Sequence, residues 1–477
     1  MKSRKLLTVE GAEDLSTEEV WKMYRSYVSS SQVDLIGSFI FGRELAEHSE
    51  GCYIYLKDKK ILDITGGIGV LNHGHNHPRI LDVRRKFNNK KRMEVHKNFF
   101  SPYVAVLSHN VAQLLPEDLN ISYFPNSGAE AVEGAMKMAY KYHSGSRQII
   151  LHSDISFHGK LLGAASVTGS PELNFDFPKI PGVHPYAYNN INSIKKLVDS
   201  SRKENGESDI YAILVEPLNA SSMRKCSQEF LLEIREICNK EKIILIFDEV
   251  YTGWGKTGTL FYFMQYDGLI PDIVTYAKSF GGGKSSISGY TTREPIFRKA
   301  YDNLSDATLH STTYYGFGEE CATAIEALNI IVDEDFVGNS QLIGKILGKG
   351  LNDIKCKYPK LISDVRGSGA LWGIVLNTEI STKIMSIISK IIPSKILKDK
   401  KFISKLVTAS VINELYNKHS VLSYYGSNIE IPLIISFPLI ASEKEIIYAL
   451  NAIDLTLSKG IFRLVTSFVK VKFSAPN

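Results

Sequence analysis

Between residues 147 and 278, short runs of Ile, Leu and Val alternate with amphipathic stretches, and this alternation constrains the fold more than any other feature. "RQIILHS", "YAILVEP", "KIILIFDEV" and "DIVTYAK" have the length and apolar content of strands buried on both faces, and each ends in polar residues. Between the second and third, "SQEFLLEIREICNKE" puts Phe230, Leu231, Ile234, Ile237 and Cys238 on one helical face. The pattern predicts an α/β fold, a largely parallel sheet covered by helices on both sides. Ligands in such sheets bind beyond the carboxyl ends of the strands, so the residues that follow each apolar run are the candidates for chemistry.

From about Asp333 the pattern changes to long helices and then the short strands "DVRGSGALWGIVL" and "IEIPLIISFPL", which predicts a smaller α+β domain. Between these strands, residues 381–406 form an apolar and basic stretch interrupted by Pro393, read as a pair of packed helices with wet lysines, or as a membrane-surface or partner-docking element. The final "GIFRLVTSFVKVKFSAPN" reads as one more strand-like segment. With 56 basic against 51 acidic side chains the net charge is only +5, which argues against nucleic acid as the main partner. Five cysteines without close pairing disfavour a disulfide framework or a zinc knuckle, and a reducing cytoplasm is the expected home. No signal-peptide core follows the basic start, and the longest apolar runs are too short to span a bilayer.

The stretch "TYAKSFGGGKSS" offers two readings. Gly283, Lys284 and Ser285 match the end of a phosphate-binding loop, but Lys278 stands where that loop requires its first glycine. The alternative is an amine at the ligand end of the sheet. Burial there disfavours the charged form of Lys278 and frees its lone pair for attack on a carbonyl. About thirty residues earlier another apolar run ends in Asp248 and Glu249, and a carboxylate in such a place is either paired or functional. Pyridoxal 5'-phosphate requires this combination, a lysine for its aldehyde and an acid to keep its ring nitrogen protonated. Asp248 comes first after the run and takes that role; Glu249 is expected to turn the other way. A phosphate dianion is stabilised by a helix N-terminus, which Ser127, Gly128 and Ala129 supply at the start of a strong amphipathic pattern; the bland reading is an ordinary Ser-capped helix.

These residues lie in ordered motifs, "GHNHP", "NSGAEAVE", "FHG", "EP", "DEVYTGWGKTG", "AKSFGGG", "HSTTYYG" and "VRGSG", whose joint order resembles the class III pyridoxal-phosphate-dependent aminotransferases of fold type I. The resemblance, which runs from about Gly37 to Leu450, implies an N-terminal segment (1–75) that contributes to the small domain and a dimer interface. A large cofactor-binding domain (76–330) and a C-terminal small domain (331–477) follow. It implies that Lys278 forms the Schiff base, that Asp248 pairs with the ring nitrogen, and that Val250 and Phe157 cover the two faces of the ring. Ser127, Gly128 and Ala129 would hold the phosphate, joined by Thr313, or in another register Thr312, from the neighbouring subunit of a homodimer. Glu216 would lie near the cofactor and Arg366 would grip a substrate carboxylate or form a structural ion pair. The implied reaction is ping-pong transfer of an amino group from an ω-amino acid, diamine or related amine to a 2-oxo acid, 2-oxoglutarate or pyruvate. Other fold type I reactions (an aminomutase, racemase or decarboxylase) and a degraded binding scaffold are the alternatives, and an intact Lys278 with its acid argues against the last.

The chain also departs from its resemblance. Ser221 stands where an acid can neutralise the arginine, Tyr251 replaces a common glutamine, and "FGEE" at 317–320 replaces a different turn. Arg366 is therefore expected to lack a nearby carboxylate. His73, His75 and His77 alternate as strand ligands would, but Gly74 and Pro78 break the strand and no acidic partner is evident in the local sequence, so no metal site is expected.

Overall fold

The computed structural model describes residues 6–170, 178–377 and 400–473. Its centre is a seven-stranded sheet of β1 (Leu119–Tyr123), β2 (Ile149–Ser153), β3 (Val183–Tyr186), β4 (Ile210–Val215), β5 (Ile244–Asp248), β6 (Ile273–Tyr276) and β7 (Gly289–Arg293), in the order β1-β7-β6-β5-β4-β2-β3. Six strands run parallel, and β7 runs antiparallel between β6 and β1. All residues of β4, β5 and β6 are buried, as their unbroken apolar runs require when helices cover both faces. One covering helix, α1 (Gly128–Tyr142), starts after β1 and buries Ala131, Val132, Ala135, Met138 and Ala139. Another, α2 (Gln228–Glu241), buries Phe230, Leu231, Ile234 and Cys238, four of the five positions on its predicted face. The mixed, mostly parallel sheet expected from the sequence is thus present.

Two smaller four-stranded sheets follow, one of which combines the ends of the chain. In one, Val421–Leu422 pairs in parallel with Leu62–Asp63 and so ties the C-terminal part to the N-terminal strands. In the other, the hairpin Ile362–Ser368 and Leu371–Leu376 pairs with Leu433–Ser436 and then Tyr424–Tyr425. Of the basic, apolar stretch 381–406, only 400–406 fall within the described residues, as the start of helix α3 (Lys400–His419).

The tail differs from its expected strand. Residues Gly460–Phe473 form helix α4, which packs on α3. Leu464, Val465, Phe468 and Val469 are buried, a spacing that matches one helical face, and the Phe468 ring lies 5.6 Å from that of Phe39. Local β-branched content suggested a strand, but the available surface is a helix flank, and the apolar stripe that fills it decides the conformation. Phe468→Ala should lower stability by about 3–5 kcal/mol, whereas Phe462→Ala, at a residue 42% exposed, should cost less than about 1 kcal/mol. Urea denaturation of both variants checks this, and equal midpoints would show that α4 is not docked.

Candidate active site

The carboxyl ends of β4, β5 and β6 open into a cleft of about 690 Å³. Its walls include eight of the residues singled out in the sequence: Ser127, Gly128, Ala129, Phe157, Glu216, Asp248, Val250 and Lys278. They arrive from five separated segments. The parallel pairing of β5 with β6 sets Asp248 opposite Thr275, three residues before Lys278.

Lys278 follows β6 in a left-handed conformation, φ +50°, a strained state for a residue with a Cβ, and heads a short 3-10 turn to Gly281. Its Nζ lies 4.6 Å from the centre of the Tyr251 ring. Burial draws its pKa down from 10.5 to about 8, while the charges of Asp248 and Glu216 oppose the shift. Lys284 of the rival phosphate-loop reading is exposed and stands outside the cleft walls.

Asp248 is held from two sides. Its Oδ1 accepts the Val250 amide at 3.0 Å, and its Oδ2 lies 2.7 Å from Nδ1 of the fully buried His158. Glu249 turns away as expected, accepting the Tyr262 and Phe263 amides at 2.8 and 2.9 Å, and burial pushes its pKa up to about 7. Glu216 lies beyond the His158–Asp248 pair, accepting the Phe157 amide at 2.8 Å and the Asn219 amide at 2.7 Å. Burial raises its pKa to about 7 against the favourable charge of His158.

Helix α1 begins with a full capping box: Ser127 Oγ accepts the Glu130 amide, and the Glu130 carboxylate accepts the Ser127 amide at 2.7 Å. The Ser-capped helix and the anion site are therefore compatible here, because Glu130 takes the first amide while Gly128 and Ala129 line the cleft. A Cβ on Gly128 would stand 3.0 Å from Val250 Cγ1, a tight contact that glycine avoids where the helix start approaches that wall.

Two expected residues lie elsewhere. Thr313 is exposed and outside this cleft. Arg366 lines a separate depression and pairs with Glu430, which corrects the expectation that no acid stands near it. The carboxylate comes from a loop 64 residues further along the chain, which no local motif could disclose. The three histidines end on different partners, Ala327 O for His73, Asp63 for His75 and Glu334 for His77, so the last two have acidic neighbours that the sequence did not reveal.

His158, Tyr251 and Tyr424 carry more of the site than the sequence suggested. His158 sits in the "FHG" motif, but only the folded chain brings it to Asp248. The hydroxyls of Tyr251 and Tyr424 are hydrogen-bonded across the cleft, and the Tyr251 ring leaves no room for a Cβ on Gly69.

Comparison with known proteins bears on this geometry. The sequence model of the class-III aminotransferases matches residues 43–419. A putrescine aminotransferase of Pectobacterium atrosepticum is 31% identical over 366 residues, 75% of this chain and 76% of that protein. Among solved structures, a transaminase from the marine bacterium Virgibacillus superposes with a TM-score of 0.76 at 24% identity, covering 88% of this chain and 94% of that one. The ornithine aminotransferase of Toxoplasma gondii gives 0.77 at 20% identity, covering 96% and 98%.

The depressed Lys278 pKa has a direct consequence. In protein stripped of any cofactor, competitive acylation should show Lys278 becoming reactive around pH 8, well before surface lysines. The buried ammonium costs stability below about pH 8, and that cost fades as pH rises towards 10.5. Asp248→Asn removes the charge that favours the ammonium, so the midpoint should fall further; a rise would contradict the assigned electrostatics.

Proposed function

The chain belongs to the class-III aminotransferase family and is a pyridoxal-phosphate-dependent transaminase, and we propose that its donor is a diamine, ω-amino acid or related primary amine and its acceptor a 2-oxo acid such as 2-oxoglutarate or pyruvate. The observation that carries the reading is the convergence of Lys278 and Asp248 in one cleft at the ends of neighbouring parallel strands.

The residues fit the cofactor. Gly128 and Ala129 would offer a helix N-terminus to its phosphate, Phe157 and Val250 would wall its ring, Asp248 would pair with the ring nitrogen, and Lys278 would supply the amine that holds its aldehyde. Bound there, the cofactor supplies an electron sink that stabilises the carbanion left when a substrate carbon loses its proton. Lys278, with an amine that is substantially neutral near pH 8, would take that proton and carry it across to the far side of the amino nitrogen. His158 holds Asp248 in place through the 2.7 Å contact of its Nδ1 with Oδ2. Glu216, braced by Asn219, fixes the Phe157 backbone.

The choice of donor is supported by the walls. Among the described residues the cleft is lined by Phe157, Leu218, Tyr251, Tyr424 and Tyr425, walls that suit the uncharged chain of a diamine or ω-amino acid, and by Lys160, a cation that suits the carboxylate of the oxo-acid acceptor. The putrescine aminotransferase relative points the same way.

A homodimer belongs to this reading. Phe99, Phe100, Leu304 and Tyr314 are strongly exposed around the segment that carries Thr313, and a second copy would cover them while Thr313 reaches the partner's phosphate site. The divisions near residues 75 and 330 belong to it too, supported by the pairing of the chain's two ends in one small sheet. All five cysteines are free thiols, which suits a cytoplasmic enzyme. Among the described residues, no helix is long and apolar enough to cross a membrane.

Lys278→Ala should abolish both turnover and the visible absorption of the bound cofactor, and Asp248→Asn should lower kcat by about 10²–10⁴-fold. A donor panel followed by that absorption should rank diamines above α-amino acids, and an α-amino acid preference would overturn the donor assignment. Light scattering that found a fully active monomer would remove the shared phosphate site.

A further inference from the structure

A lysine amine sits at the end of a long, flexible stem, so it has to be aimed as well as neutralised. Among the described residues Lys278 Nζ has no hydrogen-bond or ion-pair partner. The group it meets is the face of the Tyr251 ring, 4.6 Å from the ring centre and inside the range of a cation–π contact. The charges of Asp248 and Glu216 act on it from further off.

The ring itself is held from two directions. Its hydroxyl is hydrogen-bonded to that of Tyr424, which stands on a strand of the small sheet paired with Leu433–Ser436. Against its outer end lies Gly69, φ +87°, where a Cβ would come 2.8, 2.9 and 3.1 Å from Cζ, Cε1 and Cε2. The turn that carries Gly69 is left-handed from Gly66 onward and includes the β-branched Ile68 at φ +59°, a costly conformation that persists only where neighbours enforce it. Thr65, whose amide and hydroxyl donate to Asp63 Oδ1 at 2.8 and 2.6 Å, fixes the start of that turn. The Ile64 carbonyl accepts the Ser436 amide at 2.8 Å, so turn and small sheet are tied to each other and both meet the ring.

We propose that Tyr251 is the positioning residue of Lys278: the π face of its ring, locked by the Tyr424 hydroxyl and by Gly69, anchors the amine in the cleft and favours its ammonium form. The inference rests on the reading of Lys278 as the reactive amine and adds the group that aims it. A glutamine at position 251 would offer an amide edge and no such face. Because Tyr424 belongs to the small sheet, the lock makes the amine sensitive to a hydroxyl outside the sheet that carries Lys278. The other titratable groups of the cleft leave the effect readable. Asp248 and Glu216 favour the ammonium, His158 is engaged by Asp248, Lys160 is the other cation lining the cleft, and all four stay in place in every variant compared below. Burial pushes the Tyr251 hydroxyl up to about 12 and that of Tyr424 well above its usual range, so both stay protonated while Lys278 titrates and the ring acts as a neutral π face.

The test follows acylation of Lys278 against pH in the full chain stripped of cofactor, by mass spectrometry of its peptide, a readout that needs no turnover. Tyr251→Leu keeps apolar burial and removes the π face, and the Lys278 midpoint should fall by about half a pH unit or more. Tyr251→Phe keeps the face and should recover more than half of that loss. Tyr251→Phe and Tyr424→Phe break the same hydroxyl pair, so each should lower the midpoint by the same small amount and the double variant by no more than either. Urea midpoints check that the variants are folded; if Tyr251→Leu is not, the two Phe variants and their double carry the test, and no shift in any of them overturns the proposal. An unchanged or raised midpoint in Tyr251→Leu, a Tyr251→Phe shift as large as that of Tyr251→Leu, or Phe effects that add in the double variant would also overturn it. Unchanged midpoints beside an inactive Lys278→Ala would sink this inference alone, whereas an active Lys278→Ala would sink the reading on which it rests.

Discussion

The parallel pairing of Ile244–Asp248 with Ile273–Tyr276 brings an acid and an amine, thirty residues apart in the chain, to the same end of the sheet. Each charge alone would be costly in such a place, because the strands beneath are wholly buried and the cleft is lined mainly by apolar groups. Together they moderate each other: burial lowers the Lys278 pKa and the Asp248 charge restrains the fall. His158 meets the carboxylate from its other side, its Nδ1 2.7 Å from Oδ2. The proposed chemistry depends on this balance, since an amine too strongly charged would not act as a nucleophile and one too readily neutralised would not return a proton.

The surrounding elements hold that balance in place. β7 runs antiparallel between β6 and β1 inside the sheet, and the capped start of α1 comes so close to Val250 that a side chain at 128 would press on it. The remaining wall is built by the distant C-terminal strands. Tyr424 meets Tyr251, and Asn428 meets Ser221 and the Ile155 carbonyl, so the small sheet shapes the space above Lys278 without supplying the reacting groups. On the proposed reading, this division lets the wall differ while Lys278 and Asp248 keep their places. Tyr251, hydrogen-bonded to Tyr424, belongs to that wall, whereas the Arg366–Glu430 pair stands outside it.

Strand runs, the Ser-Gly-Ala helix start and the acid and lysine at strand ends were legible in the sequence because each is a local consequence of burial and periodicity. A continuous apolar run must be covered on both faces, and its first polar residues must emerge where the sheet ends. The tail was not legible in the same way: its apolar spacing is short enough to suit a strand, and only the flank of Lys400–His419 selects the helix.

By itself, then, the sequence determined the α/β architecture, the resemblance to a family and the pair Lys278 and Asp248, since these follow from the order of residues along single elements. Tertiary structure alone decided which acid meets Arg366, which histidine steadies Asp248 and which tyrosines close the cleft. Those partners lie 64, 90 and 173 residues apart. Their pairing follows from how sheets and loops stack, and a side chain's neighbours across such distances leave no periodic trace in the chain.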